Sequence, residues 1–255
     1  MQVTAFVGSV RKKHTYDAVV QFLSNLQSLG DVETEIVRLS DYSLQICRGC
    51  KLCCDKGEER CPLKDDRDLL LEKMMASDGI ILATPNYSFQ VSGLMKVFLD
   101  RLGFAFHRPR FFGKTFTSIV AQGIYGGNKI VDYLDFVGSG LGFDTVKGSC
   151  ITTLEPMTEK QQRKIDKVLA KQARQYYKRL AQPDLPAPTL LQLMIFRMGR
   201  TKMRLELDES YRDYTYYADK GWFDADYYYP TRLGLLRKGV GKLFDAMSAS
   251  LSKAR

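Results

Sequence analysis

Apolar runs and helical periods alternate along the first two thirds of the chain. Val3 to Val7 is a short apolar run closed by Gly8, and Glu33 to Leu39, Gly79 to Thr84, Thr115 to Ala121 and Asp144 to Ile151 read as four further strands. Between them helical spacing recurs: Ala18, Phe22, Leu26 and Leu29 stopped by Gly30, then Arg67 to Met75, Val91 to Phe106, Lys129 to Val137, and a last helix closing near Arg179. Most of the strands are continuous apolar runs rather than alternations. Such strands are buried on both faces, which predicts a parallel sheet covered by helices on either side.

Five strand–helix units fit an α/β fold with a doubly wound five-stranded parallel sheet of flavodoxin-like order, whose ligands bind at the carboxyl ends of the strands. The pattern changes after Gln182-Pro183-Asp184-Leu185-Pro186-Ala187-Pro188, a proline-rich stretch that reads as a linker. Beyond it come an apolar–basic segment from Leu190 to Met203, a stretch from Tyr211 to Tyr229 with seven of the 14 tyrosines and the single Trp222, and an amphipathic helix from about Leu233 to Leu251. The expected organisation is a domain over 1–182 with a cysteine loop inserted at 45–66, followed by a helical, Tyr-rich C-terminal extension over 183–255.

Composition narrows the class. A hydrophobic fraction of 45% supports a buried core, and no apolar run approaches the roughly 18 residues that cross a bilayer. Val3 to Val7 is too short for the apolar stretch of a secretory leader, so the protein reads as cytoplasmic. The net charge of +9 is uneven: Lys160 to Leu180 holds eight Lys or Arg against Asp166 alone. That helix buries Ile165, Val168, Leu169, Tyr176 and Leu180 on one side; its basic side is either a solvated face or a docking face for an acidic electron carrier. Nothing resembling a nucleic-acid recognition motif accompanies the charge.

Three loops at strand ends carry chemistry. Gly8-Ser9-x-Arg11-x-x-x-Thr15 joins a strand to a helix; a tight turn, two hydroxyls and a helix amino end make a phosphate cradle. It lacks the Lys-Ser/Thr of a Walker loop and the three glycines of a dinucleotide fingerprint, so a terminal monophosphate fits best. Thr84-Pro85-Asn86-Tyr87-Ser88-Phe89-Gln90-Val91-Ser92-Gly93 sets a rigid turn and two aromatics beside amide and hydroxyl groups, as a flat heteroaromatic ring requires. Gln122-Gly123-Ile124-Tyr125-Gly126-Gly127-Asn128 is glycine-rich, so its backbone can approach a ligand closely. Lys96 and Asp100 stand four apart, the spacing of an intrahelical ion pair.

Five of the six cysteines lie within fifteen positions. Cys47-x2-Cys50-x2-Cys53-x7-Cys61-Pro62 has the compact spacing with which thiolates surround an iron–sulfur cubane, down to the closing proline. Cys54 adjoins Cys53, and the two side chains cannot point the same way. Structural zinc, or metal-free thiols, remain open readings of the same residues. Cys150, in the fifth strand, reads as a core residue.

Taken together, Gly8-Ser9-x-Arg11, the cysteine triad Cys47, Cys50 and Cys53, Asp65-Asp66, Thr84-Pro85-x-Tyr87, Ser92-Gly93-x-Met95-Lys96-x-x-x-Asp100-Arg101 and Gly126-Gly127 resemble the NADPH-dependent FMN reductase superfamily, and within it the iron–sulfur flavoprotein branch, over about residues 1 to 155. The resemblance implies bound FMN, with Ser9, Arg11, His14 and Thr15 at its phosphate. Pro85, Asn86, Tyr87, Ser88 and Phe89 on one side, and Gln122, Gly123, Tyr125, Gly126 and Gly127 on the other, would frame the isoalloxazine. It also implies a 4Fe–4S cluster on Cys47, Cys50, Cys53 and Cys61, NAD(P)H as co-substrate, and a homodimer or homotetramer. His14 stands where relatives often carry a small polar residue.

Three functions follow. The first is an electron-transfer flavoenzyme that moves electrons between NAD(P)H, or a redox protein such as an acidic ferredoxin, and a small acceptor. The second is a plain NAD(P)H-dependent flavin or quinone reductase without a cluster, and the third a non-enzymatic redox carrier or sensor. No residue is assigned to proton transfer. The extension is expected either to cap the flavin pocket or to pack on the core, and membrane contact by Leu190 to Arg204 is not favoured.

Overall fold

The computed structural model describes residues 1–182 and 184–253. Pro183, within the expected linker and at the expected domain boundary, and residues 254–255 lie outside the described residues. The chain divides into two compact units, one of residues 1–47 and 63–184, the other of residues 48–62 and those from Leu185 onward.

The first unit is a parallel sheet between two helical layers. In chain order it contains β1 (Gln2–Val7), α1 (His14–Gln27) and β2 (Glu33–Arg38). The second unit contributes α2 (Leu52–Asp55). The first then continues with α3 (Arg67–Ala76), β3 (Gly79–Pro85), α4 (Gly93–Arg101), α5 (Gly103–His107), β4 (Thr115–Gln122), α6 (Gly127–Leu141), β5 (Asp144–Thr145), β6 (Ser149–Thr152) and α7 (Glu159–Leu180). Strands run in the order β2-β1-β3-β4-β5, with β6 also on β4. This is the expected doubly wound five-position sheet of flavodoxin-like order.

Alternation along the strands sorts the core into two layers. Val3, Ala5 and Val7, with Ile81, Ala83, Ile119 and Ala121, meet α1 and α7 through Phe22, Leu26, Leu169 and Tyr176. The residues between them face the other way: Phe6 stacks on Phe98 of α4 at 5.3 Å, and Phe116 lies so close under Gly138 of α6 that a Cβ there would meet its ring at 2.4 Å. Burial of a side chain such as Phe22 is worth roughly 1.5–3 kcal/mol.

Two elements differ from their sequence reading. The helix expected over 91–106 is broken at Leu102, where Leu102 N–H bonds back to Leu99 and the weak helix former Gly103 starts a separate turn. The fifth strand is split in two. Val146 N–H still bonds to Phe116 O at 2.8 Å, but Asp135 of α6 accepts the Gly148 N–H at 3.2 Å and takes it off the ladder, and a Cβ at Gly148 would meet Ser118 Oγ at 2.0 Å, so a glycine is required there. Burial raises the Asp135 carboxyl above its ordinary range, and the Gly148 N–H and Lys147 partly offset that rise.

The second unit joins residues 48–62 to α8 (Leu190–Glu206), α9 (Arg212–Asp219) and α10 (Leu235–Lys253). α8 starts with a capping box between Thr189 and Gln192. α8 and α10 run side by side in the same direction, with Ser248 Oγ donating to Met198 O at 2.9 Å and Ser252 Oγ to Glu206 at 2.8 Å. Between them Arg200 forks onto both Asp245 oxygens at 2.8 Å, and Arg197 reaches Asp226 at 2.9 Å as well as Asp245. Tyr217, Trp222, Tyr228 and Phe196 form a chain of edge-on ring contacts at 4.5–4.9 Å.

Candidate functional site

Parallel strands deliver their carboxyl ends to one edge, and the loops after β1, β3 and β4 meet there. Gly8 N–H bonds to Ala83 O at 2.8 Å, and a Cβ on Gly8 would lie 2.9 Å from both Met95 Cβ and Ser92 Oγ, so only glycine permits this approach to α4. Ser92 ties the loops together. Its hydroxyl donates to Gly8 O at 2.5 Å and caps α4 by accepting from Met95 N, while its own N–H donates to Thr84 Oγ1 at 3.0 Å.

The cradle stands at the start of α1. Lys13 occupies the cap position but offers no side-chain acceptor, so the helix's amino-terminal N–H groups are not capped by a side chain. Ser9 and Thr15 are buried beside them, Arg11 and Lys13 are exposed, and Ser9 Oγ donates to Arg11 O at 3.0 Å, shaping the turn. His14 Nε2 lies 2.9 Å from Glu155 Oε1. One open cleft is lined by Ser9, Arg11, Lys13, His14 and Thr15 on one side and by Pro85, Asn86, Tyr87, Ala121, Gln122, Gly123 and Thr153 on the other.

The loop after β3 is a tight reversal. Tyr87 and Gln90 exchange N–H···O bonds of 3.0 Å, and the two residues between them, Ser88 (φ 51°) and Phe89 (φ 63°), are both left-handed. A bulky residue there is uphill, and such strain persists only where the surroundings impose it. Phe89 packs on Tyr125 at 5.3 Å, and Gly126 (φ 92°) lies so close that a Cβ would meet the Phe89 ring at 2.7 Å. Both rings stay more than half exposed, Phe89 at 59% and Tyr125 at 65%. Asn86 is fixed by Asn86 N to Ala121 O at 2.7 Å and Asn86 Nδ2 to Tyr125 O at 3.0 Å; its Oδ1 is buried with no donor among the described residues. Gln122 Oε1 accepts the Gly127 N–H at 2.7 Å, holding the glycine turn against β4.

The cysteine insertion is pinned at its base. Asp66 accepts from Ser43 N at 2.7 Å, and Asp65 accepts from Gln45 N at 2.8 Å, from Arg67 N and from Arg101 Nη2 at 2.7 Å. Burial pushes the Asp65 carboxyl up, but the Arg101 bond and the Gln45 and Arg67 N–H groups together leave it below the usual carboxylate range. The paired aspartates of the motif therefore close the neck of the loop. Cys47 and Cys50 are exposed, while Cys53, Cys54 and Cys61 are half-buried, with Cys53 and Cys54 on the single turn of α2. Cys150 is half-buried rather than fully enclosed; burial pushes its thiol up to about 11, and its Sγ lies under Gly127. Lys96 and Asp100 form the expected i,i+4 pair at 2.5 Å.

Seven of the residues singled out for the flavin after the β1 and β3 loops, namely Ser9, Arg11, His14, Thr15, Pro85, Asn86 and Tyr87, line the cleft together with Gln122 and Gly123. Ser88, Phe89, Tyr125, Gly126 and Gly127 form the turns behind and beside it. Lys13, Ala121 and Thr153 also line it and were missed in the sequence. Thr153 follows β6, so a rule that every parallel strand ends at the ligand edge points to it.

The donor set fits a flavin monophosphate: an uncapped helix amino end with hydroxyls and cations beside it, and an unsatisfied acceptor farther along the cleft. The five cysteines between positions 47 and 61, close in sequence, are of the residue type that ligates an iron–sulfur centre. Residues 1–153 match the model of the family described as NADPH-dependent FMN reductase. An iron–sulfur flavoprotein of Archaeoglobus fulgidus is 32% identical over 143 residues, which is 56% of this chain and 69% of its own length. An iron–sulfur flavoprotein of Methanocaldococcus jannaschii is 39% identical over 101 residues, 40% of this chain and 51% of that protein, so the chain spans about half of that relative. The crystal structure of RosB with the bound intermediate 8-demethyl-8-formylriboflavin-5'-phosphate shares the fold, with a TM-score of 0.60 at 13% identity over 92% of both chains. No helix among the described residues is long and apolar enough to cross a membrane.

Proposed function

The chain belongs to the NADPH-dependent FMN reductase family and is an NAD(P)H-dependent FMN oxidoreductase, and from that premise we propose that it is an iron–sulfur flavoprotein with FMN in the cleft above β1, β3 and β4. The observation that carries the FMN placement is one cleft with an uncapped α1 amino end at one side and the orphaned Asn86 Oδ1 at the other. When bound, FMN supplies hydride acceptance from NAD(P)H and onward delivery of the electrons.

The chain's own residues bind and orient. The Thr15 hydroxyl and the first N–H groups of α1 would donate to the phosphate, Arg11 would add positive charge, and Ser9, whose hydroxyl donates to Arg11 O, would shape the turn beside His14. Glu155 orients the His14 ring through its 2.9 Å contact. Asn86, whose Oδ1 has no donor among the described residues, would offer an acceptor to the ring's polar edge, and the packed Phe89–Tyr125 pair would hold the loops after β3 and β4 together. Cys47, Cys50, Cys53 and Cys61 would hold a 4Fe–4S cluster, a reading supported by their spacing and by the names of the relatives. The acceptor is a small molecule or an acidic redox protein; the exposed Arg163, Lys164, Lys167, Lys171, Arg174 and Lys178 of α7 support the latter.

The tests separate the two cofactors. Thr15→Val and Arg11→Ala should each weaken FMN binding by about tenfold, read by flavin fluorescence quenching, since hydrogen bonds to charged groups contribute about 1.5–3 kcal/mol. Unchanged affinity in both removes the phosphate from this cradle. Iron and sulfide assays on anaerobically purified protein test the cluster, and iron well below stoichiometry leaves a plain FMN-dependent reductase.

A further inference from the structure

Residues 48–62 belong to one compact unit with the residues from Leu185 onward, although the sheet both precedes and follows them in sequence. A fifteen-residue loop with one α-helical and one 3-10 turn has little means of holding its own shape, because a helical nucleus is unfavourable and every ordered residue loses entropy. Three of its residues adopt positive φ: Gly49 (64°), Lys51 (62°) and Gly57 (113°). Lys51 has a Cβ, so its conformation must be imposed by its surroundings.

The support lies inside the second unit. α2, which carries Cys53 and Cys54, packs on α9. Lys56, directly after α2, donates from Nζ to Ser210 O at 2.9 Å, one residue before the α9 cap at Tyr211. α9 is in turn fixed by its aromatic base. Tyr217 and Trp222 are buried, their rings meet at 4.9 Å, and Trp222 Nε1 donates to Tyr228 O at 2.9 Å. The family match ends at residue 153, so this support lies outside the part that defines the family.

We propose that the C-terminal extension is the positioning element of the cysteine loop, with the Lys56–Ser210 clasp and the α2–α9 contact fixing the segment that carries Cys50, Cys53 and Cys61. The extension then serves the cluster, and the flavin cradle does not need it. This rests on the cluster reading above, and the test keeps the two apart.

Three variants of the full chain suffice. Lys56→Met removes the clasp, Lys56→Arg keeps a donor, and Thr215→Pro breaks α9 where Thr215 N–H bonds to Tyr211 O at 3.2 Å. The readouts are the rate of iron loss to a chelator, the rate at which iodoacetamide alkylates Cys50 and Cys61 in iron-free protein, and bound flavin. Lys56→Met should raise both rates about threefold, in keeping with one exposed hydrogen bond. Thr215→Pro should raise them about tenfold or more, the scale on which groups that orient metal ligands act. Lys56→Arg should behave as the parent, and flavin content should hold in all three. Unchanged rates in both disruptive variants overturn the proposal, as does flavin lost in step with iron in Thr215→Pro. If the parent protein binds no iron the cluster reading fails, and the alkylation rates still decide whether the extension holds the loop.

Discussion

The two units differ in where they place buried charge. In the first, apolar layers on either face of the sheet do the work, and its buried charges, such as Asp65 and Arg101, sit at the neck of the cysteine loop. In the second, charge lies at the heart of the helix pair, where Arg197 and Arg200 converge on Asp245. A layered apolar core is set by periodicity and can be read along the chain. A charge cluster depends on residues about 45 positions apart meeting in the right geometry, and nothing local announces it.

The strongest way to break the first unit is therefore to hollow a layer. Phe22→Ala, under Tyr176 with the rings 5.7 Å apart, should cost about 3–5 kcal/mol, including the cavity it leaves. Urea unfolding followed by tryptophan-independent circular dichroism measures it, and a loss below about 1 kcal/mol would show that the α1–sheet layer can collapse around the gap. The comparable blow to the second unit is electrostatic. Asp245→Ala strands Arg200 and should cost about 3 kcal/mol, near the lower end for a buried pair that loses one partner because Asp245 is partly exposed. Trp222 lies in this unit, so its fluorescence follows the transition. Asp245→Asn, which keeps an acceptor, should fall between parent and Ala; equal stability of all three would mean that the charges contribute nothing net.

The same contrast explains what the sequence revealed. Uninterrupted runs such as Gly79–Pro85 and Thr115–Gln122 gave the parallel sheet, and parallel strands necessarily bring Gly8, Pro85 and Gln122 to one edge. Hence most of the flavin cleft was legible. Thr153 escaped because its strand is interrupted, and the interruption comes from Asp135 catching Gly148, a contact from another element. The grouping of the cysteine loop with the extension was invisible for the same reason. Lys56 and Ser210 are 154 positions apart, and neither residue type signals its partner.

Asp65 tests the boundary between these behaviours, since it is a buried charge in the apolar unit. Asp65→Asn should cost about 2 kcal/mol at neutral pH through weakened bonds to Arg101, Gln45 N and Arg67 N. Its carboxyl is held below the ordinary range in the folded protein, so the native state favours the ionised form more than the unfolded chain does. The stabilisation is full above the unfolded carboxylate pKa and is lost as pH falls through the lower, folded one. The gap between parent and variant in urea titrations should thus stay constant down to the ordinary carboxylate range and close only below it. A gap that closes nearer neutrality would contradict the pairing.

The smallest expected effect on stability concerns the outer face of α7, where charge and core part company on one helix. Ile165, Leu169 and Tyr176 face the sheet, while Lys167 and Lys171 stand exposed. Lys167→Glu with Lys171→Glu should change stability by less than about 0.5 kcal/mol, as surface substitutions usually do. Charge on that face acts at long range instead. With an acidic ferredoxin as electron partner, the association rate should drop several-fold at low ionic strength and converge with the parent near 1 M salt, where the screening length shrinks to about 3 Å. A rate difference that survives high salt would place the carrier in direct contact with those lysines; no difference at any salt would make the ridge a solvated face and leave small acceptors as the partners of the flavin.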